Sequence, residues 1–174
     1  LVSAATLDAT GNVYLTGALG VSGQGFNIKT IKLSSSGSIL WTANWNGTAN
    51  LDDAGRSIAV DTAGNVFVAG YTTATDRDGI LLKYSPSGSL LFAVDDDAVG
   101  AGEFTGVALS AAQEPFVGGY TSQHGNKDFL ARFYTNGGTL LWNDTYNGHA
   151  NGDDVVQQVT PDGSGNFLLS GTSG

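Results

Sequence analysis

Carboxylates gather in short runs along this sequence: Asp52-Asp53, Asp76-Arg77-Asp78-Gly79, Asp95-Asp96-Asp97 and Asp153-Asp154. A hard cation such as Ca²⁺ asks for about six to eight oxygens at flexible geometry, drawn from carboxylates and from carbonyls of the kind that glycine-rich loops expose. The stretch Asp76 to Gly79 comes nearest to such a loop. It lacks the D-x-D-x-D-G register and the distal Glu of an EF-hand, and Arg77 is placed to neutralise it. Asp52, Asp53, Asp76 and Asp78 are therefore the candidate metal ligands, with Ca²⁺ as the ion and no other cofactor indicated. The competing reading is that these runs are solvated loops whose charge keeps the chain in solution.

Other chemistry has less support. Ser is abundant, but no G-x-S-x-G elbow occurs, and neither His124 nor His149 falls in a pattern that would assemble a triad. Two imidazoles in polar loops without a third ligand at zinc spacing read as exposed residues. Gly20-Val21-Ser22-Gly23-Gln24-Gly25 has neither the Lys nor the following helix of a phosphate loop. The chain has no Cys, which excludes thiol catalysis and disulfides, and no Met, which agrees with an oxidising exterior. No catalytic residue is assigned, and nothing reads as an enzyme. Asn46-Gly47-Thr48 and Asn143-Asp144-Thr145 are formal glycosylation sequons that matter only in a eukaryotic secretory cell.

The elements that would position these residues come from internal repetition. Asp8-Ala9-Thr10-Gly11-Asn12-Val13-Tyr14-Leu15-Thr16-Gly17 returns as Asp61-Thr62-Ala63-Gly64-Asn65-Val66-Phe67-Val68-Ala69-Gly70. Phe116-Val117-Gly118-Gly119-Tyr120-Thr121 echoes Phe67 to Thr72, and Asp162-Gly163-Ser164-Gly165-Asn166-Phe167-Leu168-Leu169-Ser170-Gly171 is a fourth copy. A second element recurs in phase, from Lys32 through Gly37 to Trp41, from Lys83 through Gly88 to Phe92, and from Arg132 through Gly137 to Trp142. Each is strand, tight turn, strand, with Gly supplying the positive φ a hairpin needs.

Every repeat thus holds four short strands, A to D; in the second they lie near residues 56–61, 65–72, 79–85 and 89–95. The repeats run at approximately 1–52, 53–101, 102–152 and 153–174, the last with A and B alone. The expectation is one all-β domain over 1–174, built of four-stranded antiparallel blades, about three and a half of them, with more than a third of residues in strand and no helix. Trp41, Phe92 and Trp142 should occupy equivalent, mostly buried positions, and Trp45 should pack at a blade edge. Two departures stand out. Gln113-Glu114-Pro115 replaces the Gly-Asn-Val turn, so that hairpin should be shortened or bulged. Asp96 stands where Trp45 and Tyr146 stand in their repeats, so that edge should be solvated or filled by a cation.

The D-x-x-G-N-V-[YF]-V-x-G-x-T hairpin followed by [LI]-x-K-[LY]-x-x-x-G-x-[LI]-L-[WF] resembles the bacterial β-propeller repeat of secreted and surface proteins, a family usually described as seven-bladed and similar to NHL repeats. The resemblance implies a structural or ligand-presenting part of an exported protein, extracellular or at the cell surface. In such a fold the D-to-A and B-to-C loops share one face. That face would carry Asp52, Asp53, Asp76, Asp78, Asp95, Asp96, Asp97, Glu103, Asp128, Asp153 and Asp154, eleven of the sixteen acidic residues. Asp8, Asp61 and Asp162 fall at turns of the other face, where a short carboxylate accepts backbone N–H bonds two residues on.

The reading that follows is a non-catalytic scaffold or adhesion module. The alternative is a calcium-stabilised, lectin-like carbohydrate binder, and a fragment of a quinoprotein-like enzyme comes third. Partners would be another protein or a surface glycan at the acidic loop face. Self-association through open strand edges, or the remaining blades of a longer parent, would complete the ring. Seven basic against sixteen acidic residues give a net charge of −9, which repels phosphate backbones and anionic membrane surfaces. Nucleic acid and membrane insertion are not expected.

Overall fold

The computed structural model describes residues 1–96, 100–122 and 125–174. Fourteen strands account for its regular structure: β1 Val2–Leu7, β2 Val13–Val21, β3 Gly25–Leu33, β4 Ile39–Trp45, β5 Ala54–Val60, β6 Val66–Thr73, β7 Arg77–Tyr84, β8 Leu90–Asp95, β9 Gly102–Leu109, β10 Pro115–Thr121, β11 Asp128–Tyr134, β12 Leu140–Tyr146, β13 Val155–Pro161 and β14 Phe167–Thr172. They pair as three four-stranded sheets, β1 to β4, β5 to β8 and β9 to β12, and one two-stranded sheet, β13 with β14. Every pairing is antiparallel and joins strands consecutive in sequence. There is no helix among the described residues. The innermost strands β1, β5, β9 and β13 lie side by side in that order, which sets the sheets around a common axis as the blades of a partial propeller.

The turn chemistry explains why the repeat motif recurs. In D-x-x-G-N the Asp oxygen accepts the N–H groups two and four residues on: Asp61 takes Ala63 at 3.0 Å and Asn65 at 2.7 Å, while the Asn65 amide donates to the other oxygen at 2.7 Å. Asp8 and Asp162 repeat the arrangement. The Gly64 φ of 83° is the left-handed value the turn requires. In the third blade Gln113 adopts φ 64° there and Ser110 accepts the Glu114 N–H in place of the Asp, so the turn keeps its length. This corrects the expectation of a shortened hairpin: Pro115 opens β10, opposite Leu109, as Val66 stands opposite Val60. A ladder irregularity does occur, but it falls at the far end of the hairpin, as in every other blade.

The core lies between blades. Along β6 and β7, Val66, Val68, Ile80, Leu82 and Tyr84 face the first blade, and Phe67, Ala69 and Leu81 face the third. This period of two, apolar on both faces, is what a sheet sandwiched between neighbours needs. The outermost strands carry an aromatic that the next blade covers: a Cβ built on Gly88 would fall 2.8 Å from the Trp41 ring, and one on Gly138 3.2 Å from Phe92. Trp41 also donates its indole N–H to the Pro86 carbonyl at 3.0 Å. Trp142 departs from the expected burial and is 47% exposed. The sheet that follows it is β13 and β14, which bring no C–D turn over the indole; its neighbours are Phe116 and Phe133. Trp45 packs against the core between the first two blades.

Candidate functional site on the loop face

The loops after strands B and D emerge together, and in the pairs Asp52-Asp53 and Asp153-Asp154 the second Asp turns inward while the first stays exposed. Asp53 is fully buried: one carboxylate oxygen accepts the Gly47 N–H at 2.7 Å, and the other accepts the Thr72 hydroxyl at 2.8 Å and the Thr73 N–H at 3.2 Å. Asp52 accepts the Phe26 N–H at 2.9 Å, while the Asp53 N–H donates to the Phe26 carbonyl at 2.6 Å, so the pair clasps the start of β3 in the preceding blade. Asp153 and Asp154 repeat the clasp on Lys127, at 3.0 Å and 2.6 Å. Asp154 also accepts the Gly148 N–H at 2.6 Å. The Ser173 hydroxyl, helped by that amide, holds its carboxyl below the usual carboxylate range. Asn50 and Asn151 take φ of 55° and 53°, and each accepts the amide of the Asn four residues before it at 2.7 Å.

Of the four candidate metal ligands, the structure brings Asp52 and Asp76 to one open groove of about 560 Å³, with Thr73, Thr75 and Arg77. Asp53 is buried and does not line it. Asp78 stands opposite Thr72 in the β6–β7 ladder. Among the described residues no three His, Asp or Glu side chains are grouped closely enough to hold a metal ion. His149 lies exposed in the loop before β13, and Asp97 and His124 lie outside the described residues.

At the edge between the second and third blades, Asp96 receives a cation from the protein itself. Arg132, 2% exposed, places Nε 3.2 Å from its carboxylate. The ladder sets Phe133, not Arg132, opposite the D-strand aromatic, so Arg132 occupies the place of Leu82 and Ile31. A Leu82 near Trp45 thus becomes an Arg132 on Asp96.

A second charged cluster lies on the same face, and sequence reading missed it. Glu103, 8% exposed, sits 3.1 Å from Arg77 and 3.6 Å from Arg56. Both guanidinium groups rest on the Tyr71 ring, Arg77 at 3.9 Å and Arg56 at 5.1 Å from its centroid. The Tyr120 hydroxyl lies beside Arg77, and Lys127 sits 4.4 Å over the Tyr120 ring. Arg56 is the ladder-skipping residue of β5; the same position holds Ser3, Thr105 and Gln157 in the other blades. Three of the seven basic residues of an acidic chain therefore meet at one place.

Residues 47–76, which run from the clasped loop through β5 and β6 to Asp76, match the family model SBBP, described as a beta-propeller repeat. Over that segment the chain is similar to an SBBP repeat. The matched segment contains the Asp52-Asp53 clasp and the D-x-x-G-N turn, the two devices that tie this repeat to its neighbour and to its own backbone. No curated protein matches the chain. The repeat points to a scaffold or interaction module.

Proposed function

We propose that the chain is a non-catalytic, extracellular or cell-surface repeat scaffold that presents its loop face to a partner. The observation that carries this is how the repeated carboxylates are spent. Asp8, Asp61 and Asp162 fold their own turns, and Asp52, Asp53, Asp153 and Asp154 fix the loops to the preceding blade. A loop face held this way is rigid, and rigid loops present side chains at low entropic cost. The resemblance to repeats of exported proteins supports the compartment.

The experiment is a glycan array probed with the whole chain in Ca²⁺ and in chelator, beside melting curves in both buffers. The scaffold reading expects no glycan retained above background and no melting shift with Ca²⁺. Glycan retention that chelator abolishes would replace it with the lectin reading, in which Asp52 and Asp76 of the open groove would supply oxygens.

A further inference from the structure

We propose that Arg56 and Arg77, on either side of Glu103, form a recognition site for the carboxylate of an acidic peptide segment. The inference rests on the loop-face reading in one respect, that a partner docks there; it adds which residues meet the partner and what chemistry they select.

Three observations carry it. First, the cluster is built from departures from the repeat. The clasp at the first and third blade junctions uses an Asp pair and backbone groups, on Phe26 and Lys127, whereas at the second junction Arg77 stands in the equivalent place and is met by the Glu103 side chain. The fold alone does not call for Arg56, because Ser3, Thr105 and Gln157 serve at that position elsewhere. Second, one carboxylate is shared between two guanidinium groups. Arg56 makes its ion pair at 3.6 Å, beyond hydrogen-bonding reach, and its buried Nε has no hydrogen-bond partner. Each guanidinium carries five donors in a planar fork shaped for a carboxylate. Arg77 gives one of its own to Glu103, and its side chain is 42% exposed. Third, Lys127 adds a cation at the ring of Tyr120, so three of the chain's seven basic side chains gather beside the single carboxylate of Glu103, with Asp76 and Asp78 flanking Arg77 along the chain.

The aromatic rings select among carboxylates. Tyr71 already carries both guanidinium groups and Tyr120 carries the Lys127 ammonium, so neither ring is offered as a platform for a sugar. An acyclic Asp or Glu side chain needs no platform, and its two oxygens match the planar forks of Arg56 and Arg77, whose side chains are 35% and 42% exposed. Glu103 then acts as the resident competitor, a carboxylate of the protein standing where the ligand would enter.

That role makes the test two-sided. The whole chain, isotopically labelled, is titrated with N-acetyl-glutamyl-glutamate at low ionic strength, with D-glucuronate and glucose as further arms, and amide shifts are followed by NMR. The dipeptide should bind with a dissociation constant of order millimolar and move the amides around Tyr71, Arg77 and Lys127, and high salt should weaken it. Arg77→Gln, at an exposed position, should lose about tenfold in affinity and Arg56→Gln a similar amount. Glu103→Gln should bind about threefold tighter or better, because it removes the competing charge while keeping a hydrogen-bonding side chain. A purely structural Glu103 would leave affinity unchanged or lower it, and either result overturns the proposal. So does the absence of shifts, or affinity indifferent to Arg56 and Arg77. Glucuronate binding as tightly as the dipeptide overturns the peptide assignment. Failure on any of these leaves the scaffold reading standing, since that one answers to the glycan array and the calcium melts.

Discussion

Replacing Asp53 with Ala removes three hydrogen bonds from a residue with no exposed surface, at 2.7, 2.8 and 3.2 Å. The Thr72 hydroxyl can turn to another acceptor, but the Gly47 and Thr73 N–H groups are fixed by the backbone. Each buried donor left without a partner costs about 1–3 kcal/mol, so the substitution should destabilise the chain by about 3–4 kcal/mol. At roughly 2–4 °C per kcal/mol for a chain of this size, the melting temperature should fall by about 6–16 °C. Thr72→Val, which removes a single hydroxyl donor, should cost about 1 kcal/mol. Urea titration followed by tryptophan fluorescence gives both numbers. A loss under about 1 kcal/mol for Asp53→Ala would refute the reasoning. A parent protein whose midpoint climbs with Ca²⁺, with the climb lost in Asp53→Ala, would show instead that the carboxylate serves a cation.

Stability should be flat between about pH 5 and 8 and decline below about pH 4. Asp8 and Asp162 are held below their ordinary value of 3.8, chiefly by the Thr10 and Asn166 side chains respectively, and Asp154 by the Ser173 hydroxyl; a depressed carboxylate gives stability that is lost as pH falls through the folded value. On the alkaline side, burial pushes Tyr84 from 10.0 up to about 12, so stability should be intact below pH 10 and drop as pH rises toward 12; thermal melts across the range check both limbs. Trp41→Ala should cost about 3–5 kcal/mol and Trp142→Ala about half that or less, because only the first is covered by a following turn, and paired denaturant curves measure the difference. Gly88→Ala should be worse than Gly37→Ala by about 1–2 kcal/mol, since φ is 88° and 86° at the two but only Gly88 meets an indole. The double substitution Asp96→Trp with Arg132→Leu, which copies the Trp45 and Leu82 pairing into the next junction, should be at least as stable as the parent, while Arg132→Leu alone should be clearly less stable by the same denaturant assay.

The blades were legible because their turns are written in residue chemistry. Asp61 to Asn65 needs a short carboxylate, a positive φ and an amide in that order, and the order survives in three of four copies. In the third copy of the second element the ladder differs by one residue from the alignment on Gly137. Gly138 takes the φ of 87°, which puts Tyr134 rather than Phe133 at the strand end and moves Arg132 from a lysine position to a core position. Either glycine fits the pattern, and only the ladder decides. The acidic runs misled in a different way, since charge reads as surface, whereas Asp53 and Asp154 are buried by their own loops. A signal was present: Asn46-Gly47 through Asp52-Asp53 and Asn147-Gly148 through Asp153-Asp154 share their spacing, and recurrence of this kind marks architecture. The Arg56, Arg77 and Glu103 cluster escaped because a search for repetition passes over positions that differ between copies.

The covering of Trp41 and of Phe92 by the next blade's turn glycine gives the array a direction. Trp41 is shielded by the second blade and Phe92 by the third, but no blade shields the aromatic of the one after it. Pulled from the C-terminal end, the chain should yield from that end first: β13 and β14, held by two strands alone, peel away, then the third blade, whose loss uncovers Phe92, then the second, whose loss uncovers Trp41. Force applied there meets one blade at a time, and each step loosens the outer packing of the blade before it, so rupture should run as an ordered series of sheet-sized events.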